Sequence, residues 1–230
     1  MHKLYYTTRS FTPESTALIP RIALEELSLS YVVEEVELSP SPPDWYVEIN
    51  RHGQIPTLLL DCNDGAAAKP IAPSPAILLA LAESHPEGGL LPETPQEKAV
   101  CYACLFDMVE QLHTAYMRVF TPERFSTIGS HAEAITLSSC RSIAAYFTDL
   151  NKLLGQQPFV AGAQYSLCDI YFYVMARWYV DISPSDGLPP VTSFDNIFAY
   201  CRRIETRAAV RTSLLKDEIA LIATDWHVLG

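Results

Sequence analysis

Hydrophobic and polar positions follow two different patterns along the chain, and the change comes near residue 85. Before it, short apolar runs alternate with stretches in which apolar residues recur at helical spacing. The strand-like runs are KLYY at 3–6, YVVEEVEL at 31–38, TLLLD at 57–61 and KPIA at 69–72. The predicted order is β-α-β-α-β-β-α. Its β-α-β start implies a parallel strand pair with a right-handed crossover, and its last two strands are close enough for a hairpin.

Helical signals fill the intervals between these strands. Residues 15–29 have helical apolar spacing, and Ser15 or Thr16 is a suitable N-cap. Pro20 fits this helix only if it falls in the first turn. A shorter helix is predicted over 44–49.

The third helix is predicted to open with Ser74 as N-cap and Pro75 at the first helical position, and to run through AILLALAE. The segment HPEGGLLPETP at 85–95 follows, and it is rich in proline and glycine. Beyond it the apolar spacing is helical throughout. The predicted helices lie at roughly 95–120, 131–154, 167–181, 193–206 and 211–222.

This change of pattern predicts two domains of different class. We expect an α/β domain over 1–84, a linker over 85–94 and an all-helical domain over 95–230. A chain of 230 residues with 49% hydrophobic residues is long enough for both to have a core.

The charge of the chain argues against two classes of partner. The net charge is −11, the isoelectric point is about 4.9 and no long basic run is present, so we expect neither nucleic acid nor an anionic membrane as a partner. The longest apolar runs, such as AILLALA and AVCYACLF, are too short to span a bilayer. The N-terminal MHKLYYTTRS has no apolar core of a secretory signal, and we expect a cytoplasmic protein.

Six cysteines are present, and in a chain of this length without a signal we expect reduced thiols. Cys101 and Cys104 form a C-x-x-C, which permits a redox or metal interpretation. The pair lies in an apolar helical stretch, and no second pair follows at zinc spacing. We therefore favour buried packing for it and predict no metal site. The cysteines are Cys62, Cys101, Cys104, Cys140, Cys168 and Cys201.

The segment HGQIPTLLLD at 52–61 places a proline at the start of a buried strand, where proline cannot donate to a sheet. One interpretation is an ordinary turn over Gly53–Pro56. The other is a cis Ile55–Pro56 bond, which would leave the backbone of Ile55 free to pair with a ligand. The pattern alone favours the turn, because only about 5–6% of bonds before proline are cis in folded proteins.

Four stretches, taken together, resemble the glutathione transferase superfamily. KLYY with IPRIALEELSLSYVVEEVEL resembles the first strand, helix and second strand of bacterial members, and EINRHGQIPTLLLD resembles the segment that carries the family's cis proline. EQLHTAYMRVF at 110–120 is similar to a beta-class helix, and FVAGAQYSLCDIYFYVMARW at 159–178 is similar to a family segment in which Ser166 and Asp169 form a capping box. The resemblance implies a thioredoxin-like first domain, a helical second domain and a cis Pro56.

The resemblance also implies a glutathione site with two departures. The backbone of Ile55 before Pro56 would pair with the cysteinyl part of glutathione, and Gln54 would reach a carboxylate end. Ser74 and its helix N-terminus would take the γ-glutamyl carboxylate. The family's acid before this serine is replaced by Pro73.

The second departure is in the second strand, where the beta-class lysine position is occupied by Glu35. With the ammonium partner missing and the sign reversed at position 35, we expect glutathione to bind weakly as a co-substrate. Arg9, in a loop over 7–14 that is longer than the family's and also contains Ser10, is a candidate replacement cation.

Thiol activation in such a site needs a donor to the thiolate. The beta-class cysteine position falls on Thr16, next to Ser15, and a hydroxyl there would either stabilise the thiolate or cap the helix. Tyr6 matches the tyrosine of the tyrosine-type classes, and burial is the alternative role for it. His113 matches the active-site histidine of the beta-class helix, and a packing role is equally open to it.

The helix that carries His113 also carries three aromatic residues with two possible roles. Helical spacing puts Tyr116 on the face of His113. Tyr102, Phe106 and Tyr116 would form an apolar wall for an electrophile or, alternatively, would pack between the domains.

The function that the resemblance implies is a homodimeric glutathione S-transferase-like enzyme. It would conjugate a small apolar electrophile to glutathione or use the glutathione thiol in another way. The alternative is a non-catalytic member that binds another small molecule or a protein partner, and the changes at Pro73 and Glu35 favour it.

Overall fold

The structure is a computed structural model that describes residues 1–7, 15–39, 41–61, 68–182 and 188–222. Its first part follows the predicted order of strands and helices, with most boundaries within three residues of those predicted. The elements are β1 His2–Tyr6, α1 Leu18–Glu26, β2 Tyr31–Glu35, α2 Asp44–Ile49, β3 Thr57–Leu60, β4 Lys69–Ile71 and α3 Ser74–Ser84.

The four strands form one mixed sheet in the order β2-β1-β3-β4. β1 and β2 are parallel, and Leu4 lies opposite Val33. β3 runs antiparallel to both of its neighbours, with Leu58 opposite Leu4 on one side and Ile71 on the other. The predicted parallel start and the predicted hairpin of the last two strands are both confirmed.

The alternation of side chains along β1 gives the sheet two covered faces. Leu4 is fully buried in the large core cluster with Ile22 of α1 and Ile77 of α3. The next residue, Tyr5, points to the opposite face and packs on Tyr46 of α2, with 5.4 Å between their ring centroids. The sheet is therefore sandwiched between α1 and α3 on one face and α2 on the other.

In the described residues beyond 84 the longer elements are all helical, and short 3₁₀ turns lie in several of the connections between them. The predicted helix over 95–120 is present without a break, but its middle turn is π-helical. The remaining predicted helices are present with shifted ends. The elements are α4 Pro95–Asp107, the π segment Met108–His113, α5 Thr114–Phe120, α6 Ala132–Leu154, α7 Leu167–Ile182, α8 Asp195–Ile204 and α9 Ala208–Lys216.

Two helix starts differ from those predicted. The helix α1 begins at Leu18 instead of at 15, so Pro20 does fall in its first turn, and the Ser15 hydroxyl accepts the N–H of Ala17 at 3.2 Å. The N-cap of α3 is Pro73 and not Ser74, because the Pro73 carbonyl already accepts the N–H of Ile77 at 3.1 Å.

The last helix was predicted too far along the chain. It ends at Lys216 and not at 222, because Glu218 adopts a left-handed conformation with φ of 56°. The N–H of Ile219 then turns back to the Leu214 carbonyl at 2.9 Å, which closes the helix end.

The helix α7 is the centre of the second domain, and all of its residues except Asp181 are buried. Its start is fixed by Asp169, whose carboxylate accepts the N–H groups of Ser166 at 2.8 Å and Val160 at 2.9 Å and the hydroxyl of Tyr200 at 3.2 Å. The Ser166 hydroxyl accepts the N–H of Cys168 at 3.3 Å in return. The capping box predicted from S-x-x-D is confirmed.

Charged side chains join α1 to the residues on either side of α9. Arg207 donates to both carboxylate oxygens of Glu26, at 2.6 and 2.8 Å. Arg21, which is buried, pairs with Asp217 at 3.0 Å. These contacts hold the region around α9 against the first domain.

None of the helices in the described part of the chain has the length and apolar character needed to cross a bilayer.

We predict that Asp169→Asn lowers the free energy of unfolding by about 2–4 kcal/mol, because the amide nitrogen faces buried N–H donors that the carboxylate satisfies. Burial raises the pKa of Asp169 to about 6, so urea unfolding at neutral pH compares the ionised wild type with the variant. The control is Asp149→Asn on α6, where the carboxylate is exposed and we expect a change within about 0.5 kcal/mol. Equal losses in the two variants would contradict the capping role.

Candidate functional site

A cavity of about 550 Å³ lies in the first domain, where the turn before β3 meets the chain leading into α3. Its lining combines the end of α2, this turn and the residues around β4. The lining residues are Ile49, Asn50, Arg51, His52, Gln54, Ile55, Pro56, Thr57, Pro70, Ala72 and Pro73.

A buried polar cluster holds the turn in place. The Tyr46 hydroxyl and the Asn50 amide both donate to the carbonyl of Gln54, at 2.8 and 2.7 Å. The same two groups reach the Thr57 hydroxyl, at 2.9 and 3.0 Å. The carbonyl of Gln54 is thereby fixed inside the domain, whereas the residue as a whole is exposed at the cavity.

Gly53 is required at the tip of this turn. Its φ is 59°, in the left-handed region that favours glycine, and a Cβ there would lie 2.4 Å from the ring of Pro42. A side chain at position 53 would therefore displace the segment that carries Gln54.

The backbone on either side of the cavity contains two cis bonds. Ile55–Pro56 is cis, in agreement with the prediction, and Ala72–Pro73 is cis as well. The Ile55 carbonyl accepts the hydroxyl of Thr16 at 3.4 Å, which is the long limit for such a bond.

Three of the predicted site residues meet beside the cavity. The Thr16 hydroxyl contacts the Ile55 carbonyl, and the Thr16 carbonyl lies 3.5 Å from the Ser74 hydroxyl. The turn before α1, the turn before β3 and the start of α3 therefore converge at one point. Thr16 is half-buried there, and its neighbour Ser15 has its hydroxyl engaged at the start of α1.

Ser74, which the resemblance makes the partner of the γ-glutamyl carboxylate, is buried in the structure. It is only 2% exposed, and Pro73, not Ser74, lines the cavity. Its hydroxyl lies 3.5 Å from the Thr16 carbonyl, at the start of α3.

The cavity has a cationic edge that sequence reasoning missed. Arg51 and His52 are exposed and line it, and the Arg51 Nε donates to the His52 Nε2 at 3.2 Å. A guanidinium in such a position suits a carboxylate ligand. The sequence did contain the signal for this edge, because Arg51 and His52 lie in the stretch EINRHGQIPTLLLD that carries the resemblance.

Tyr6 and Glu35 lie side by side at the ends of β1 and β2. Tyr6 is half-buried, and the guanidinium of Arg21 lies 5.5 Å from its ring centroid. Glu35 is exposed and brings a negative charge to this end of the sheet, opposite in sign to the lysine that the resemblance implies. The candidate cation Arg9 and its neighbour Ser10 lie outside the described residues.

His113 packs against α7 in the second domain and is not among the residues that line the cavity. Its Nδ1 forms a hydrogen bond with the hydroxyl of Tyr171, and its ring lies edge-on to Trp178 at 5.4 Å. Burial lowers the pKa of His113 to about 4, so the imidazole is neutral at physiological pH.

The three predicted wall residues have three different environments. Tyr116 is fully buried and donates its hydroxyl to the Met175 carbonyl at 2.8 Å, so it belongs to the core and forms no wall. It does share a face with His113, since both rings contact Trp178.

The other two predicted wall residues lie on α4. Tyr102 donates to Glu83 of α3, and this bond raises the pKa of Tyr102 to about 12. Phe106 is 50% exposed.

The arrangement supports binding of a small anionic ligand in extended form. Ile55 lines the cavity, Gln54 and Arg51 offer donors to a carboxylate, and the Thr16 hydroxyl lies next to the cavity, 3.4 Å from the Ile55 carbonyl. Within the described ranges, no group of three or more His, Cys, Asp or Glu side chains is arranged to hold a metal ion.

We predict that His113 makes stability fall in acid. Its folded-state pKa of about 4 lies below the ordinary value of 6.5, so its neutral ring contributes stability above pH 6.5 that is lost as the pH falls toward 4. NMR titration of the ring measures this pKa directly. In His113→Asn, the fall in unfolding free energy over this pH range should be smaller than in the wild type. A midpoint near 6.5 for His113 would contradict the prediction.

Comparison with known proteins agrees with this architecture. A family model described as the glutathione S-transferase N-terminal domain matches residues 15–84. The chain is 25% identical to the glutathione S-transferase GstA of Escherichia coli O157:H7 over 221 residues, which cover 92% of this chain and 96% of that protein.

Solved structures extend the match to both domains. A sphingomonad glutathione S-transferase complexed with glutathione superposes with a TM-score of 0.76 at 26% identity, covering 95% of this chain and 100% of that one. A bacterial beta-class enzyme of Sphingomonas chungbukensis gives a TM-score of 0.74 at 25% identity over the same shares. With its thioredoxin-like first domain and helical second domain, the chain is similar over nearly its whole length to bacterial beta-class glutathione S-transferases, and residues 15–84 match the N-terminal domain of that family.

Proposed function

We propose that this protein is a glutathione S-transferase-type enzyme that uses the thiol of glutathione on a small apolar electrophile. The observation that carries the proposal is that the Thr16 hydroxyl, the Ile55 carbonyl and the start of α3 meet beside the cavity. The same cavity has the cationic edge at Arg51. Relatives of similar fold are glutathione S-transferases, and the sphingomonad one is complexed with glutathione.

In the proposed complex, glutathione lies extended along the turn before β3. Its cysteinyl backbone pairs with the backbone of Ile55, and its glycyl carboxylate accepts donors from Arg51 and Gln54. The Thr16 hydroxyl then turns from its long hydrogen bond with the Ile55 carbonyl to donate to the thiolate, which favours the ionised form. Tyr6 and His113 remain candidates for a supporting role, but their contacts in the structure are with Arg21 and with α7.

The site offers few side-chain contacts to the γ-glutamyl end of the ligand. Pro73 provides no carboxylate for the ammonium group, Ser74 is buried, and Glu35 has the wrong sign to replace the expected lysine. A charge-assisted hydrogen bond contributes about 1.5–3 kcal/mol, so the missing partner weakens binding roughly tenfold to a hundredfold. We therefore propose weak binding of glutathione.

The alternative function is a non-catalytic member that binds another small molecule or a protein partner. The burial of Ser74 and the proline at position 73 favour it, because together they remove the side-chain contacts to one end of the tripeptide. The experiments below separate the two functions.

We further propose that the domains divide at the linker 85–94, since α3 ends at Ser84 and α4 begins at Pro95. We also propose a cytoplasmic homodimer. Apolar side chains on α4 support the dimer, because Val100 is 56% exposed and Phe106 50% exposed on this helix beside α3. Self-complementary two-fold contacts are the commonest form of oligomer.

We predict that Pro73→Glu tightens glutathione binding about tenfold to a hundredfold, because it restores a carboxylate for the ligand's ammonium. Isothermal titration calorimetry on wild type and variant measures the change. Pro70→Glu is the control, since Pro70 lines the same cavity but precedes no helix. Tight and equal binding in wild type and Pro73→Glu would mean that another residue supplies the charge, and absence of binding in both would favour the alternative function.

We predict that Thr16→Val lowers kcat/KM for conjugation of glutathione to an activated aryl halide by about tenfold to a hundredfold, through loss of one hydrogen bond to a thiolate. The shape of the side chain is nearly unchanged. Thr148→Val on the exposed side of α6 is the matched control and should leave the rate unchanged. A Thr16→Val enzyme with the wild-type rate would exclude this hydroxyl as the activating group.

A further inference from the structure

A cluster of three thiols lies between α4 and α7, outside the site described above. The sulfur of Cys101 is 3.4 Å from the sulfur of Cys168, and the Cys168 thiol also lies 3.1 Å from the Cys101 carbonyl. Both residues are fully buried. Cys104 is half-buried one turn further along α4, and its sulfur is 4.0 Å from the Val160 carbonyl.

The partner of Cys101 is therefore not the one that the C-x-x-C spacing suggests. Cys168 comes from a different helix, 67 residues further along the chain. The two sulfurs are near van der Waals contact, whereas a disulfide requires a separation of about 2.05 Å. The sulfurs would therefore have to approach each other by about 1.4 Å to form the bond.

The hydrogen bonds around the pair favour ionisation of one thiol over the other. The hydrogen bond from Cys168 is the largest influence, and together with the Ser166 hydroxyl it lowers the pKa of Cys101 despite burial. Bonding to Cys101 and Cys104, together with burial, raises the pKa of Cys168. These contacts favour Cys101 as the thiol that ionises first, with the Cys168 sulfur 3.4 Å away from it.

We propose that Cys101 and Cys168 form an oxidative modification site, at which a peroxide generates an intramolecular disulfide that joins α4 to the start of α7. The proposal is independent of the transferase function, since neither thiol belongs to the cavity in the first domain.

The reaction takes two steps. The Cys101 thiolate attacks one oxygen of the peroxide, the O–O bond breaks, and the products are a sulfenic acid on Cys101 and a hydroxide that is protonated to water. The Cys168 sulfur then attacks the sulfenic sulfur, the S–O bond breaks, and the departing hydroxide takes the Cys168 proton. With hydrogen peroxide, two thiols lose two electrons and the oxidant is reduced to two waters.

The position of the two cysteines determines which helix segments the disulfide would connect. Cys168 directly precedes Asp169 of the capping box, and α4 continues into the π segment that ends at His113. The bond would tie these two helix segments together. Cys104 is half-buried and is the most exposed of the three thiols.

The test treats the reduced full-length protein with hydrogen peroxide, unfolds it, alkylates the remaining thiols and counts them by mass spectrometry. We expect the count to fall by two from the six of the reduced chain. Digestion without reductant should yield one linked peptide pair, with fragment ions that assign the bond to Cys101 and Cys168. Dithiothreitol should restore all six thiols.

Four variants sharpen the assignment. Cys101→Ala and Cys168→Ala should lose the linked pair, whereas Cys104→Ala and the matched control Cys140→Ala, which removes a buried thiol of α6, should keep it. A linked pair that persists in Cys101→Ala would assign the bond to another cysteine and overturn the proposal. So would oxidation of the wild type that gives only sulfinic or sulfonic acids, or that leaves all six thiols intact. Fragment mapping of the wild type gives the same answer if a core variant fails to fold.

Discussion

The buried carboxylate of Asp169 is the constraint on which the rest of the structure depends. It connects the start of α7 to the backbone of Ser166 and Val160 and to the hydroxyl of Tyr200 on α8. Four donor contacts in a fully buried position are costly to lose, because each buried donor left without a partner costs about 1–3 kcal/mol. The helix that this group positions is the one on which α1, α3, α4 and α8 all pack.

The site in the first domain depends on this helix although it contains none of its residues. The helices α1 and α3 lie on the same face of the sheet and both rest on α7, which brings Thr16 and Ser74 to the same point. On its other side α1 is held by the paired charges of Glu26 and Arg207. The converging backbone beside Ile55 is therefore a product of contacts between domains as well as of the local turn.

Sequence reasoning succeeded where the governing contacts are local and lost accuracy where they come from elsewhere in the fold. The S-x-x-D capping box and the strand order were predictable, because hydrogen bonds over three residues and the handedness of a β-α-β unit are local rules. The burial of Tyr116 was not, since the spacing of aromatic residues on a helix does not say which of them faces α7. The partner of Cys101 was missed for the same reason: Cys168 is supplied by another helix. The role of Arg51 became visible only once the cavity gave its charge a location.

The departures at Pro73 and Glu35 affect one kind of contact and leave another intact. Backbone groups such as those of Ile55 recognise the extended form of a peptide-like ligand and are indifferent to its side chains. A carboxylate in place of Pro73 would recognise an ammonium group and so would discriminate among such ligands. In the folded site, the buried polar cluster of Tyr46, Asn50 and Thr57 fixes the turn beside Ile55, and Arg51 provides the cationic edge. Under the proposed function, the protein therefore retains the contacts that orient a thiol ligand and has lost those that select glutathione by its γ-glutamyl end.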